Sequence, residues 1–402
     1  ELYYSVIISW CLNFFVLSFG LGWGDDPNHF FFKEFLKVSD TPGNIGEIRT
    51  PILYGLIIVW FLCWSIVYRG VSRGIELANK ILMPTLLVLT AILVFWSLSL
   101  EGAMEGLKVY ITPDFSKLSN AKVWIDAYSQ IFFTLSLGFG IMIAYASYLP
   151  AQANITRSAF LTAMINSGYS IFAGCAVFAV LGFMSFTENK EISEVVTQSI
   201  GLAFVAYPKA ISLMPAGNWF GAVFFLCLTV AGLSSAVSIM EAFTAAVVDK
   251  IGYSRKLLVT AISIIGFLGS IVFTSQAGVL WLDIVDHFIT HYGLITVGIL
   301  ECIVVGWLFN LPLLRKHLNL ISSIKLGIWW DFLIKFFVPA TLGIIFLGDL
   351  YSELQQPYGD YSRASLILIG RDWLIATIAV ALIISFKPWS TNHLETSGRH
   401  ID

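Results

Sequence analysis

Within an apolar run that starts near residue 124 the sequence reads Gln130-Ile131-Phe132-Phe133-Thr134-Leu135-Ser136-Leu137-Gly138-Phe139-Gly140. Two hydroxyls and two glycines this close together are poor material for a continuous helix. A helix broken in an apolar medium must turn its freed backbone groups toward a cavity or toward other protein. Such a break has a chemistry: half-helix N–H groups attract a carboxylate, while exposed carbonyls bind an ammonium or a sodium ion. The same residues also suit a Gly/Ser helix-packing face. Two further clusters repeat the theme. Asn166-Ser167-Gly168-Tyr169-Ser170 puts Asn166 and Ser170 four apart, on one helix face. Ala231-Gly232-Leu233-Ser234-Ser235 gathers neutral oxygens, the donors that a hard monovalent cation takes.

Other polar groups carry less. Asp283, His287 and His291 share a helix face at i, i+4 and i+8 and read as a polar rim rather than a metal set. Isolated Glu241 and Glu301 read as protonated or hydrogen-bonded structural acids rather than proton carriers. The five cysteines sit in apolar segments with no CxxC pair, so they form neither a disulfide framework nor a metal knuckle. An intramembrane enzyme would need a nucleophile with its base, paired acids or H-E-x-x-H, and none occurs.

The elements that must position these groups follow from composition. The chain has 402 residues, 57% hydrophobic and only 12% charged, about half the charge of an ordinary soluble domain at roughly 25%. The charges come in clumps separated by apolar stretches of about 20 residues, the length that crosses a hydrocarbon core of roughly 30 Å. An all-α polytopic membrane protein is expected, with about ten spans near 1–20, 50–68, 77–100, 124–149, 158–186, 217–248, 257–275, 283–310, 326–348 and 369–387. Net charge is −3 without a basic tract, which leaves nucleic acid out as a partner.

Charge also orients the spans. The loops around 69–80, 150–157, 249–256, 311–325 and the tail, with Lys335 and Lys387, hold 13 Lys/Arg. Against them stand Glu76, Asp249, Asp331, Glu395 and Asp402. The positive-inside rule makes that side cytoplasmic. Two outer loops are long. Residues 21–48 contain Phe30-Phe31-Phe32 and suggest a short surface helix. Residues 187–216 read as a helix from Glu188 to Ser199, a break at Gly201 and an apolar turn ending near Pro208, a cap over an external vestibule. The chain enters its first apolar run directly from Glu1, with no initiator Met and no leader, and reads as an N-terminally truncated piece.

These motifs together resemble the neurotransmitter:sodium symporters, especially the prokaryotic sodium-dependent amino-acid transporters, from Tyr3 through the last span. The resemblance rests on the 130–140 run, the A-G-L-S-S turn, T-P-D-F at 112–115 and Y-A-S-Y at 145–148, in that order. It implies two five-span repeats of inverted topology, here without the first two spans. Residues 1–100 would be the remainder of the first repeat, 124–310 the second, 326–387 two peripheral spans and 388–402 a cytoplasmic tail.

Residue roles follow from the same resemblance. Tyr4 matches the tyrosine that binds a substrate carboxylate and, with Phe133, the aromatic lid. Phe133, Thr134 and Ser136 would hold the ammonium, and Phe139, Ser235 and Ile239 the side-chain pocket. Thr134 and Asn166 match ligands of a first sodium; Ala231, Ser234 and Ser235 match those of a second. Asp286 matches the outer-gate acid, and Tyr148 with Asp249 the inner gate. Ser170 stands where chloride-dependent members carry serine and chloride-independent bacterial ones a carboxylate, so Gln130, Thr134, Asn166 and Ser170 would form a chloride site. Gly74 and Pro84 match the spacing at which a helix unwinds to admit water, a plain kink being the alternative.

The implied function is sodium-coupled symport, by alternating access, of a neutral amino acid, hydrophobic or aromatic by its uncharged pocket. Two sodium ions would be used, with chloride as a further ion. A non-transporting sensor or truncated homologue of the same fold is the competing reading. The expected location is a bacterial cell membrane.

Overall fold

A computed structural model describes residues 1–192 and 200–388. The tail expected at 388–402 falls almost wholly outside them, as does most of the helix expected at 188–199. The described chain is helical throughout: α1 (Leu2–Ser18), α2 (Thr50–Tyr68), α3 (Val71–Leu98), α4 (Ala103–Ile111), α5 (Ala121–Thr134) and α6 (Ile141–Ser147) come first. Then follow α7 (Ile155–Glu188), α8 (Leu202–Leu213), α9 (Gly217–Ile251) and α10 (Arg255–Thr274). The chain continues with α11 (Gly278–Leu308), α12 (Leu311–Ile321), α13 (Ile328–Gln355) and α14 (Arg363–Phe386).

Among the described residues, eight of these (α2, α3, α7, α9, α10, α11, α13 and α14) are long and apolar enough to cross a membrane. Helices satisfy their own backbone groups, which is what hydrocarbon demands. The expectation of an all-α multi-pass membrane protein therefore holds. The other two expected spans differ in form. The first is the shorter α1, and 124–149 is the pair α5 and α6 with a non-helical stretch between. Among the described residues, seven segments widen into π-helical turns: Phe30–Phe35, Val71–Ile75, Leu202–Ala206, Ile289–Leu294, Val304–Leu308, Leu333–Phe337 and Leu366–Arg371.

The chain divides into two compact units: Glu1–Phe115, Gly168–Met240 and Ser254–Leu280 form the first, and Ser116–Ser167, Glu241–Tyr253 and Trp281 onward the second. In the first, α1 packs on α2 through buried hydroxyl contacts. Ser9 Oγ donates to the Ile52 carbonyl at 2.7 Å, and Gly55 lies so near that a Cβ there would be 2.4 Å from Ser9 Oγ. Trp60 covers Gly266 of α10 and donates Nε1–H to Ser270 Oγ at 3.1 Å.

The 21–48 loop holds the short helical segment expected of it, Pro27–Phe35, exposed at Asn28, His29, Lys33 and Glu34 and buried on its other face. Asp26 caps a short turn at Pro27–His29, but Phe31 is wholly buried. Phe14 lies with ring centroids 5.1–6.1 Å from Trp23, Phe30, Phe31, Phe35, Phe204 and Phe225. Burying one such ring is worth about 1.5–3 kcal/mol, so the loop is held by its phenylalanines. The 187–216 segment differs: α8 runs on past Pro208 to Leu213. Pro208 stands inside α8, just after its π-helical turn Leu202–Ala206, and removes one backbone N–H donor from the helix there.

Gly102, Gly106 and Gly182 bring α4 and α7 together backbone to backbone. A Cβ on Gly106 would sit 1.8 Å from the Phe178 carbonyl oxygen, and one on Gly182 2.5 Å from that of Gly102. Small residues permit such approach in membrane helices. Gly106→Val is expected to destabilise by about 1–3 kcal/mol, seen as an earlier thermal transition in detergent. An unchanged transition would show that the two helices separate there at no cost.

In the second unit Phe132, Leu294, Ile295, Leu342 and Ile345 form a buried cluster joining α5, α11 and α13. The Phe132 ring lies on Gly298, where a Cβ would meet it at 2.7 Å. At one end of α11 a polar rim forms: His287 Nε2 lies 3.1 Å from Glu353 and His291 Nδ1 2.8 Å from Asp349. Tyr358 and Tyr361 both donate to Asp283, at 2.9 and 2.8 Å. Burial first, and the Asp283 charge second, push both phenols above their ordinary range.

Candidate functional site

The break expected within 130–140 is present, and its backbone follows from its residues. Helix α5 ends at Thr134. Leu137 N–H then reaches back to the Phe132 carbonyl at 3.2 Å and Ser136 N–H to that of Phe133 at 2.9 Å. This paired 6→1 and 5→2 pattern is a Schellman termination, which requires a left-handed residue at the position Ser136 occupies. Ser136 has φ +54°, Gly138 +78° and Gly140 +73°. Glycine adopts this region freely, whereas a serine there is strained by about 1 kcal/mol. Helix α6 then begins at Ile141, with Ala144 N–H the first to reach back, to the Gly140 carbonyl at 3.0 Å. The N–H groups of Ile141, Met142 and Ile143 have no intrahelical acceptor, as at every helix start.

The residues around this break belong to the second unit. Phe133 and Phe139 meet edge to face at 5.9 Å, and Phe133 is half exposed. Thr134 Oγ1 lies 3.3 Å from Asn166 Nδ2 and 3.5 Å from Asn166 Oδ1. The two side chains named for a first sodium are thus neighbours, with three neutral oxygens and one amide nitrogen between them if the Thr134 carbonyl is counted. Ser170 lies one turn beyond Asn166 on α7, and Gln130 one turn before Thr134 on α5.

The second cluster lies on α9 in the first unit. Ser234 Oγ donates to the Ala231 carbonyl at 2.8 Å, and Ser234 is buried. The Ser235 and Tyr4 side chains are neighbours, which brings together two of the expected substrate residues. Gly232 makes that approach possible: a Cβ there would be 2.7 Å from Ile8 of α1. Ile239 follows one turn after Ser235 on α9. The expected substrate residues are therefore divided, with Tyr4, Ser235 and Ile239 in the first unit and Phe133, Thr134, Ser136 and Phe139 in the second.

The gate residues fare differently. Asp286 is on α11, half-buried, and its carbonyl accepts the Thr290 hydroxyl at 2.6 Å. Tyr148, just after α6, donates its hydroxyl to Glu241 Oε1 at 2.6 Å. Glu241 is wholly buried. It stands about two turns before the exposed Asp249 on α9. Sequence reasoning read Glu241 as a hydrogen-bonded acid but missed this partner, 93 residues away. The signal available was a lone carboxyl in an apolar run close to Asp249. Gly74 lies in the π-helical turn Val71–Ile75, where Ile75 N–H reaches the Gly70 carbonyl at 3.2 Å. Pro84 sits inside the continuous helix beyond it.

Tyr148→Phe would take a donor away from a buried carboxyl, at a cost of about 1–3 kcal/mol. The expected result is an earlier thermal transition, recovered in part when Glu241→Leu is added. Additive losses in the pair would show that the bond carries no coupling.

A model of the sodium:neurotransmitter symporter family matches residues 22–391. A Methanocaldococcus jannaschii protein described as an uncharacterized sodium-dependent transporter is 44% identical over 392 residues, covering 96% of this chain and 80% of that protein. The sodium- and chloride-dependent glycine transporters 1 and 2 of Xenopus laevis are 30% and 31% identical, over 89% and 88% of this chain. The chain spans 57% and 45% of the length of those two relatives.

Proposed function

The chain belongs to the sodium:neurotransmitter symporter family, whose members are sodium-dependent transporters, and from that membership we propose that it is a symporter importing a neutral amino acid by alternating access. The observation that carries this reading is the broken helix at 135–140, with its three left-handed residues beside Thr134 and Asn166. A continuous helix has no free backbone groups to offer a zwitterion. A broken one offers N–H groups to the carboxylate and carbonyls to a cation.

In this proposal Thr134 and Asn166 ligate one sodium, and Ala231, Ser234 and Ser235 a second. Tyr4 takes the substrate carboxylate, and Phe133, Thr134 and Ser136 the ammonium. Phe139, Ser235 and Ile239 add no charge, which favours a hydrophobic or aromatic side chain. Gln130, Thr134, Asn166 and Ser170 hold chloride. Two relatives that carry chloride dependence in their names support that part. Asp286 closes the outer side, and Tyr148 with Asp249, through Glu241, the inner. Each sodium moving down 100 mV supplies roughly 2.3 kcal/mol. Two would support more than about a thousandfold gradient of a neutral solute.

The test is uptake and counterflow in proteoliposomes, with labelled leucine, phenylalanine and glycine. Accumulation should require a sodium gradient and stop when potassium replaces it. Binding without counterflow would favour the sensor reading. Competition by glycine alone would sink the apolar side-chain pocket.

A further inference from the structure

A groove of about 430 Å³ runs along the first unit between α2 and α10. Its walls are apolar, with Ile57, Phe61 and Trp64 on α2 and Ile264, Phe267 and Leu268 on α10. Phe61, Ile264 and Leu268 are more than half exposed, so the groove opens to whatever surrounds the bundle. We propose that it holds an acyl chain of an anionic phospholipid of the bilayer, with the phosphate of that lipid at Arg69 and Lys256.

The geometry separates a tail region from a head region. On α2 the aromatic rings step along one face: Phe61 to Trp64 at 5.8 Å, then Trp64 to Tyr68 at 5.1 Å. The α10 side is antiparallel, since Trp60 meets Ser270, Trp64 meets Thr260 and Arg255 reaches the Val67 carbonyl. Polarity rises along this series. Trp64 Nε1–H donates to Thr260 Oγ1 at 3.1 Å, and the Lys256 ammonium stands 5.4 Å above the Tyr68 ring. Trp and Tyr gather at headgroup depth in membrane proteins, so the Tyr68 end marks the interface.

The side chains that flank the trough at that end are basic. Arg69 follows Tyr68 directly, and Arg255 and Lys256 open α10. From Arg69 to Ile75 and from Lys250 to Leu258 the sequence has no acid, and Asp249 stands six residues before Arg255. The nearest acid along the α3 side, Glu76, is already paired with Lys80 at 2.7 Å. Basic pockets between membrane helices bind anionic lipid headgroups. A long apolar trough ending at such a pocket is complementary to a molecule with a chain at one end and a phosphate at the other. A second copy of this chain fits less well. Copies inserted in the same direction relate by an axis along the bilayer normal, which would bring both Arg69 and Lys256 pairs to one level.

The test is native mass spectrometry of the whole purified chain after exchange into phosphatidylglycerol or phosphatidylcholine. One phosphatidylglycerol should survive activation that strips phosphatidylcholine. Arg69→Gln with Lys256→Gln should weaken that retention about tenfold or more. Ile264→Trp keeps the charges but fills the trough, and should cost retention of the long-chain lipid while leaving the melting behaviour intact. Equal retention of the two lipids would overturn the proposal. So would a preference that survives the double substitution, or a lipid-free dimer that Ile264→Trp splits.

Discussion

Gly140→Val is expected to cut sodium-driven uptake about thirtyfold while the protein still reaches the membrane. A Cβ on Gly140 would meet no atom within 4 Å, so the substitution creates no clash. What it changes is the backbone. Gly140 has φ +73° at the start of α6, and a branched side chain is a genuine outlier in that region. A strain of about 2 kcal/mol, carried at the break itself, amounts to roughly a thirtyfold loss. Gly140→Ala should lie between. Gly343 provides the control: its Cβ would also meet nothing, but it lies inside a helical run with ordinary φ. Gly343→Ala should be neutral or slightly stabilising. Equal effects at the two positions would mean that the left-handed turn is not what matters. Ser136→Gly is expected to run the other way in stability, relieving about 1 kcal/mol, while removing a hydroxyl proposed to face the substrate.

The second large effect is expected at Ser170. Replacing chloride with gluconate should stop uptake by the parent protein, and Ser170→Glu should restore it. The reasoning is one of charge. Thr134, Asn166, Gln130 and Ser170 are neutral donors, so a sodium at Thr134 and Asn166 has no fixed anion among them. A carboxylate one turn from Asn166 would supply permanently the charge that a bound chloride would supply reversibly. A glutamate with an ordinary pKa near 4.3 is ionised at neutral pH, so the variant should be independent of chloride there and regain its dependence under acid conditions. Parent uptake unaffected by gluconate would remove the chloride assignment from all four residues.

The break was legible because its cause is local. Ser136, Gly138 and Gly140 lie within five residues, and the Schellman pattern involves only neighbours. Thr134 and Asn166, and Tyr4 and Ser235, were named together only through a family resemblance, since nothing in their spacing dictates contact. The aromatic nest on the inner face of the short helix was not legible for a related reason. Phe30-Phe31-Phe32 amid polar residues looks like surface until Phe14, Phe204 and Phe225 arrive from distant segments to enclose it. The Tyr148–Glu241 bond and the facing of His287 and His291 by Glu353 and Asp349 are likewise long-range pairings, which hydropathy cannot express. Pro208 misled by its usual meaning, because a proline commonly ends a helix and here it stands inside one.

The π-helical turns bear on how relatives of this chain can be compared. One that lies inside a helix holds one residue more than an α-turn, so it rotates the helix beyond it by about 100°, one residue's share of a 3.6-residue turn. In α11 the turn at Ile289–Leu294 shifts the phase by about 100° between the residues before it and those after it, while Val304–Leu308 closes the helix. A single residue lost from such a segment would convert it back to an α-turn without shortening the loops. Length differences among homologous helices should therefore collect at these seven places, and a gap penalty that forbids insertions inside membrane helices would misalign the faces beyond them.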